Sequence, residues 1–300
     1  MSDSMVHSEA RRVGPFEVGP IGFGCWRFTT DSVAEARSLV ETALDLGMTL
    51  IDNADVYGLD WGGSGFGACE ELLGRVLADA PELRSRMVLA TKGGIVPPIP
   101  YDQSSATLRA ACEASLRRLG VDVIDLYQIH RPDLFAHPGE VAATLTALRD
   151  EGKIVAVGVS NFTVAQYDAL AAALPFPIVT TQPEYSAAHL APLRDGTFDR
   201  AMRDGLVPVA WSPLAGGRLA TGYGVPAALV EVLDRLAERE GVDRAAVALA
   251  FVLAHPAAPV AIIGTQQPER LEAARSALGV RLDRNDLYDI VEASEGVPLP

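Results

Sequence analysis

The chain has 300 residues, with 39 Asp plus Glu against 25 Lys plus Arg and a formal net charge of −14. Hydrophobic residues make up 49% and charged residues 21%, which excludes a disordered chain and permits a large core without staples. The acidic balance argues against a nucleic-acid partner or an anionic membrane surface, and the length admits two ordinary domains or one large α/β barrel.

Residues 1–10 read as a loose tail with no apolar signal core, so a cytoplasmic location is expected. From there, short and nearly all-apolar runs alternate with amphipathic stretches. The strands are expected at 21–26, 48–52, 87–92, 123–130, 154–160, 178–182, 206–212 and 260–265. All eight have the composition of parallel strands covered on both faces. Helical periodicity appears at 32–47, with Asp31 as its expected N-cap and Gly47 at its close. It recurs at 106–120, 139–152, 163–174, 268–279 and 283–294, the last an extra terminal helix. The start of the 163–174 helix is expected at Asn161, and the 226–254 interval holds two helices broken near Gly241. The run from Ala245 to Ala254 is the most apolar of the chain, but at ten residues it is a buried helix and too short to span a bilayer. No linker divides the chain, so residues 11–300 form one domain. Strict alternation over eight units implies a closed (β/α)8 TIM barrel, with an open doubly wound sheet as the other arrangement of the same pattern.

In such a barrel the reactive groups sit at the C-terminal ends of the strands. Those ends are Asp52, Lys92, His130, Ser160-Asn161, Gln182, Trp211-Ser212 and Gly264-Thr265. Each strand turns from apolar to polar at the same rim. Solvent contact alone does not readily explain an Asp, a Lys and a His closing three apolar strands in succession. Tyr57 follows five residues after Asp52. A lysine cation beside a tyrosine favours the phenolate, and an aspartate keeps that lysine charged and in place. A neutral histidine within reach then orients a carbonyl. Asp52, Tyr57, Lys92 and His130 together make a unit that delivers a proton to a carbonyl oxygen. The unit has no hydride or nucleophile of its own, so a cofactor is implied. The chain has no H-E-x-x-H or Cys-x-x-Cys pattern, no nucleophile elbow and no P-loop, and its glycine-rich stretches miss the dinucleotide fingerprint. Cys25, Cys69 and Cys112 are odd in number and widely spaced, so they form neither a disulfide framework nor a zinc motif.

The segments DNADVYG, ATKGG, YQIHRPD, GVSNF, TQPEYS, WSPLAGGRL and IIGTQQPERLEAARSAL, in that order, resemble the motifs of the aldo-keto reductase superfamily. The resemblance runs from about residue 13 to the C-terminus and is similar to the bacterial oxidoreductase branch. RRVGPFEVGP resembles the family's N-terminal β-hairpin, which caps the barrel bottom. The resemblance implies carbonyl reduction with NADPH and no metal. It implies Tyr57 as general acid, Lys92 as its tuner, Asp52 as the partner of Lys92, and His130 as the group orienting the carbonyl. It also implies a cofactor site. Gly24, Cys25, Trp26 and Asp52 would lie beside it. Ser160, Asn161 and Gln182 would hold the nicotinamide carboxamide, and Trp211 would stack on the ring. Ser212, Pro213, Leu214, Gly216 and Arg218 would follow the pyrophosphate. Ile263, Gly264, Thr265, Gln266, Gln267 and Arg270 would grip the adenosine half.

Many family members carry Lys or Arg where this chain has Gln266 and Gln267, so NADPH is expected on the strength of Arg270 and NADH remains the alternative cofactor. Two other readings stay open: an NAD-dependent sugar or alcohol dehydrogenase, and a nucleotide-sensing regulatory subunit. The expected partner is a small carbonyl compound, and the expected state is a monomer. Trp26, Phe28, Trp61 and the His130–His137 loop are candidate pocket walls, an apolar mouth that suits a hydrophobic or aromatic aldehyde better than a charged one.

Overall fold

A computed structural model describes residues 4–299. Two short antiparallel strands open the chain, β1 (Arg11–Val13) and β2 (Phe16–Val18). Eight strands follow: β3 (Ile21–Gly24), β4 (Leu50–Asp52), β5 (Val88–Gly93), β6 (Ile124–Ile129), β7 (Ile154–Ser160), β8 (Ile178–Gln182), β9 (Val207–Ala210) and β10 (Val260–Ile263). Their order is that of the chain, and β10 pairs with β3 in parallel to close the barrel. The closed (β/α)8 barrel replaces the open-sheet alternative.

The helices outside the barrel are α1 (Val33–Asp45), α2 (Ala68–Asp79), α3 (Ser105–Leu119), α4 (Pro138–Asp150), α5 (Val164–Ala173), α6 (Thr197–Asp204), α7 (Arg218–Thr221), α8 (Ala227–Glu240), α9 (Arg244–Leu253), α10 (Pro268–Ala274) and α11 (Arg284–Glu295). Two expected starts move. Helix α1 is capped by Ser32, whose side chain accepts from the Glu35 N–H, and not by Asp31. Helix α5 is capped by Thr163 in a reciprocal capping box with Gln166, which leaves Asn161 free for the barrel mouth. Helices α8 and α9 are separated at Gly241, as the 226–254 pattern implies.

Three helices, α2, α6 and the four-residue α7, lack a sequence signal. Helix α2 starts at Gly67 with no side-chain cap and carries Gly74 in its middle, and α6 has only eight residues. Gly74 is there for contact: a Cβ on it would lie 2.0 Å from the Arg118 carbonyl oxygen at the end of α3.

The barrel interior has two layers. Val13 and Val18 of the hairpin pack with Leu50, Leu126, Val209 and Val260 in an apolar plug, as the hairpin's resemblance implied. Above the plug the inward positions become polar. Of the segment expected to be loose, the part from Ser4 onward is held to the barrel's outer layer: the Met5 N–H donates to the Leu282 carbonyl and the His7 N–H to that of Leu253. Among the described residues, no helix is long and apolar enough to cross a membrane.

Candidate active site

The polar layer is organised around Lys92. Its ammonium group is fully buried and reaches three oxygens: Asp52 Oδ2 at 2.7 Å, the Asn53 carbonyl at 2.9 Å and Tyr57 Oη at 3.1 Å. An ammonium has three protons to donate, so all three are committed. The other oxygen of Asp52 accepts from Gln128 Nε2 at 3.2 Å and Gln182 Nε2 at 3.1 Å. Gln128 Oε1 in turn accepts from Thr180 Oγ1 at 3.3 Å. Gln128 lies inside the YQIHRPD segment with no site role attached to it, and no motif contains Thr180. The signal available in the sequence is a polar residue on the barrel-facing side of an apolar strand, two positions after Leu126. Room for the network comes from Gly158 of β7, where a Cβ would sit 2.0 Å from Thr180 Oγ1.

Tyr57 and His130 lie half-buried at the cavity floor, their rings edge to face with centroids 5.7 Å apart. Burial raises the Tyr57 hydroxyl above its ordinary value, and Lys92 opposes that shift without cancelling it. Against the expectation from Lys92 alone, burial wins, because the phenolate would lose hydration at the barrel mouth. Burial also pushes His130 well below the usual imidazole range, with help from the Lys92 and Arg131 charges. His130 is therefore neutral, and its Nδ1 has no partner among the described residues. Lys92 stays protonated, because the attraction of Asp52 and Tyr57 exceeds the cost of its burial.

Backbone strain sets the rim. Asn161 and Ser212 follow the ends of β7 and β9 with φ of 58° and 54°, a left-handed conformation that costs a non-glycine residue about 1 kcal/mol or more. The turn lets Asn161 bridge the mouth. Its Nδ2 donates to Ser160 Oγ at 2.9 Å and to the His130 carbonyl at 3.2 Å. Its Oδ1 accepts from Trp211 Nε1 at 3.0 Å, which fixes the indole plane. Ser160 Oγ donates to the Gln182 carbonyl at 3.0 Å.

A cavity of about 1240 Å³ opens from this floor. Most of the residues expected around the cofactor line it: Gly24, Trp26, Asp52, Ser160, Asn161, Gln182, Trp211, Ser212, Pro213, Leu214, Gly216, Arg218, Ile263, Gly264, Thr265, Gln266, Gln267 and Arg270. Cys25 does not. Its side chain is buried in the core beneath α1 and α2, where burial raises its thiol well above the ordinary value; one step past Gly24 it faces the other way. Lys92 lies under the floor and reaches the cavity only through Tyr57 and Asp52. Among the expected pocket walls, Trp26, His130 and Arg131 line the cavity, whereas Phe28 is fully buried against Phe23. Trp61 stands outside the lining, against Trp26.

The residues fit a nicotinamide dinucleotide. The cavity exceeds the ~300–1,000 Å³ usual for a single small ligand, a flat indole is held at its head, and Arg270 at its far end has no acid partner among the described residues. The aldo/keto reductase family model matches residues 20–295. The chain belongs to the aldo/keto reductase family. It is 48% identical to a 6-dehydroglucose reductase of Novosphingobium aromaticivorans across the whole of both chains. A 6-dehydroglucose reductase of Agrobacterium fabrum is 37% identical, with 93% of this chain and 95% of that protein covered. The oxidoreductase YdhF of Escherichia coli is 36% identical over 92% and 94%. Among solved structures, the thermostable aldo-keto reductase Tm1743 in complex with the inhibitor epalrestat superposes with a TM-score of 0.81, at 26% identity, over 95% of this chain and 99% of that one. This aldo-keto reductase is an oxidoreductase built on a (β/α)8 barrel.

Proposed function

We propose that the protein reduces an aldehyde or ketone to an alcohol, with NADPH preferred over NADH and Tyr57 as the general acid. One observation carries the reading: Tyr57 Oη accepts a proton contact from Lys92, so the phenol's own proton is free to point into the cavity. Neutral at rest, Tyr57 is an intact acid. As its proton moves to the emerging alkoxide, charge develops on an oxygen already touching an ammonium, whose own charge is secured by Asp52. His130, neutral and beside Tyr57, offers its ring N–H to the carbonyl oxygen and polarises it. A bound reduced nicotinamide supplies the hydride. Trp211, with its plane set by Asn161, offers a ring face for stacking, while Ser160, Asn161 and Gln182 surround the position of the carboxamide. Arg270, with Thr265, Gln266 and Gln267 beside it, is the group suited to a 2′-phosphate.

The test pairs turnover with binding. Tyr57→Phe is expected to lower kcat by about 10²-fold or more, while NADPH still quenches tryptophan fluorescence as in the parent. Near-parental turnover in that variant removes Tyr57 from its role. Titration with both cofactors is expected to show tighter NADPH binding that weakens in Arg270→Ala. Equal binding of NADH would return the dehydrogenase reading. The 48% identity to a 6-dehydroglucose reductase makes that sugar aldehyde a first substrate to assay.

A further inference from the structure

The chain carries a net charge of −14, yet its cavity is lined by four arginines, Arg27, Arg131, Arg218 and Arg270. The acids on the same lining are Asp52, Asp60 and Asp243. Asp52 is neutralised by Lys92 at 2.7 Å, and Asp243 caps α9 by accepting from the Ala246 N–H at 2.7 Å. Asp60, exposed at the rim, and Asp243, which keeps its charge at the helix cap, are left to oppose four guanidinium groups. Arg218 and Arg270 belong to the cofactor end. Arg218 is tied down by the Ala215 and Gly224 carbonyls.

Arg27 follows the end of β3 and Arg131 the end of β6, next to His130, and both line the cavity together with Tyr57. Neither guanidinium has a hydrogen-bond or ion-pair partner among the described residues, although both are only partly exposed. Arg27 is nonetheless held in place. Its guanidinium lies 4.7 Å over the Trp61 ring and 5.7 Å from that of Trp26, and the two indoles meet edge to face at 5.0 Å. Trp61 adopts a φ of 60°, a left-handed conformation unusual for a bulky residue, to supply that platform. Arg131 follows His130 directly, and its own carbonyl accepts from Gln103 Nε2 at 2.6 Å, which fixes the loop that carries it. Two cations without ion-pair partners among the described residues, one of them seated on two indoles, line the cavity that holds the acid and the carbonyl-orienting group.

Building on the reductase reading above, we propose that the substrate's reacting carbonyl is accompanied by an anionic oxygen group, a carboxylate or a phosphate, taken by Arg27 and Arg131. Guanidinium groups make charge-assisted, two-pronged contacts with either oxyanion. A positive cavity in an acidic protein also concentrates an anionic substrate. Trp26 lines the cavity as expected, and with Trp61 it carries Arg27 there.

The experiment compares kcat/KM for 4-carboxybenzaldehyde with that for methyl 4-formylbenzoate, its neutral ester, with 4-formylphenyl phosphate as the phosphate arm and NADPH as reductant. The anionic aldehydes are expected to be favoured by about tenfold or more, mainly through KM, and the advantage is expected to shrink as salt rises. Whichever anion gains more identifies the group. In Arg27→Gln and Arg131→Gln the ratio of anionic to neutral kcat/KM is expected to fall toward one. A variant that lowers both substrates equally is showing a structural effect and counts against the proposal. Turnover of the neutral ester, or of 6-dehydroglucose, at or above the rate of both anions overturns the proposal and leaves the reductase reading standing. No turnover of any carbonyl overturns both.

Discussion

Asp55 sits two residues before the proposed acid, and its carboxyl is enclosed: it is 1% exposed, and Oδ1 has no partner among the described residues. Its N–H donates to the Lys92 carbonyl at 3.0 Å. The next residue along that strand, Gly93, lies against the Tyr127 hydroxyl, likewise buried without a partner. Burial first, and then the nearby Glu70 carboxylate, push the Asp55 carboxyl well above the usual range. A carboxyl raised in the folded state is protonated there while the unfolded chain ionises near its ordinary 3.8. Its stabilising effect is therefore complete at low pH and lost as pH rises above that value. Asp55→Asn keeps the shape and removes the titration. The stability of the variant relative to the parent is expected to increase as pH rises above about 4, as read by urea denaturation at each pH. A pH-independent difference would show that Asp55 is ionised in the fold.

At the scale of elements, α2 and α3 hold the Tyr57 segment from outside. Glu70 of α2 is fully buried and accepts from Thr91 of β5 and from Arg118 of α3, the latter at 2.7 Å. The pair ties two helices to the strand that carries Lys92. It requires the helices to touch, which Gly74 allows. On helix propensity alone, Gly74→Ala would stabilise by about 1 kcal/mol. The close carbonyl of Arg118 reverses the sign, and the variant is expected to lose about 1–3 kcal/mol. Its cost should grow with side-chain size from Ala to Val. Stabilisation of Gly74→Ala in thermal unfolding would mean that the two helices can separate freely.

For the whole molecule, two half-buried neutral imidazoles work against stability on the acid side, in the direction opposite to Asp55. His255 follows α9, its ring 4.2 Å from that of Phe198, and burial lowers it from 6.5 to about 4. His130 is lowered for the same reason. Above pH 6.5 both are neutral in either state and the fold is unaffected. As pH falls through the window from 6.5 toward 4, the unfolded chain takes up protons that the fold refuses, so stability is lost. The imidazoles are expected to lower the Tm between pH 7 and pH 5, a drop that Asp55 opposes. His255→Gln should remove part of that drop, on the order of 1 kcal/mol once its partial exposure is allowed for. An identical acid profile in the variant would place the titration elsewhere.

The alternation of eight apolar runs with amphipathic stretches determined the barrel, because strand burial on both faces and helix burial on one leave separate periodicities in a linear chain. The polar strand ends determined which residues meet at the mouth, since barrel closure brings every C-terminal end to one rim. Asp52, Lys92 and His130 were legible for that reason, and Tyr57 through its place in the loop just after Asp52. What the tertiary structure alone decided depends on direction and enclosure. It turned Cys25 into the core and Gln128 toward Asp52, and moved two helix caps by one or two residues. It reversed the balance on Tyr57, because burial is a property of everything packed around a group and not of its neighbours in sequence. It also seated Arg27 on two indoles at the cavity lining, a charge that only the folded neighbourhood leaves without an ion-pair partner among the described residues.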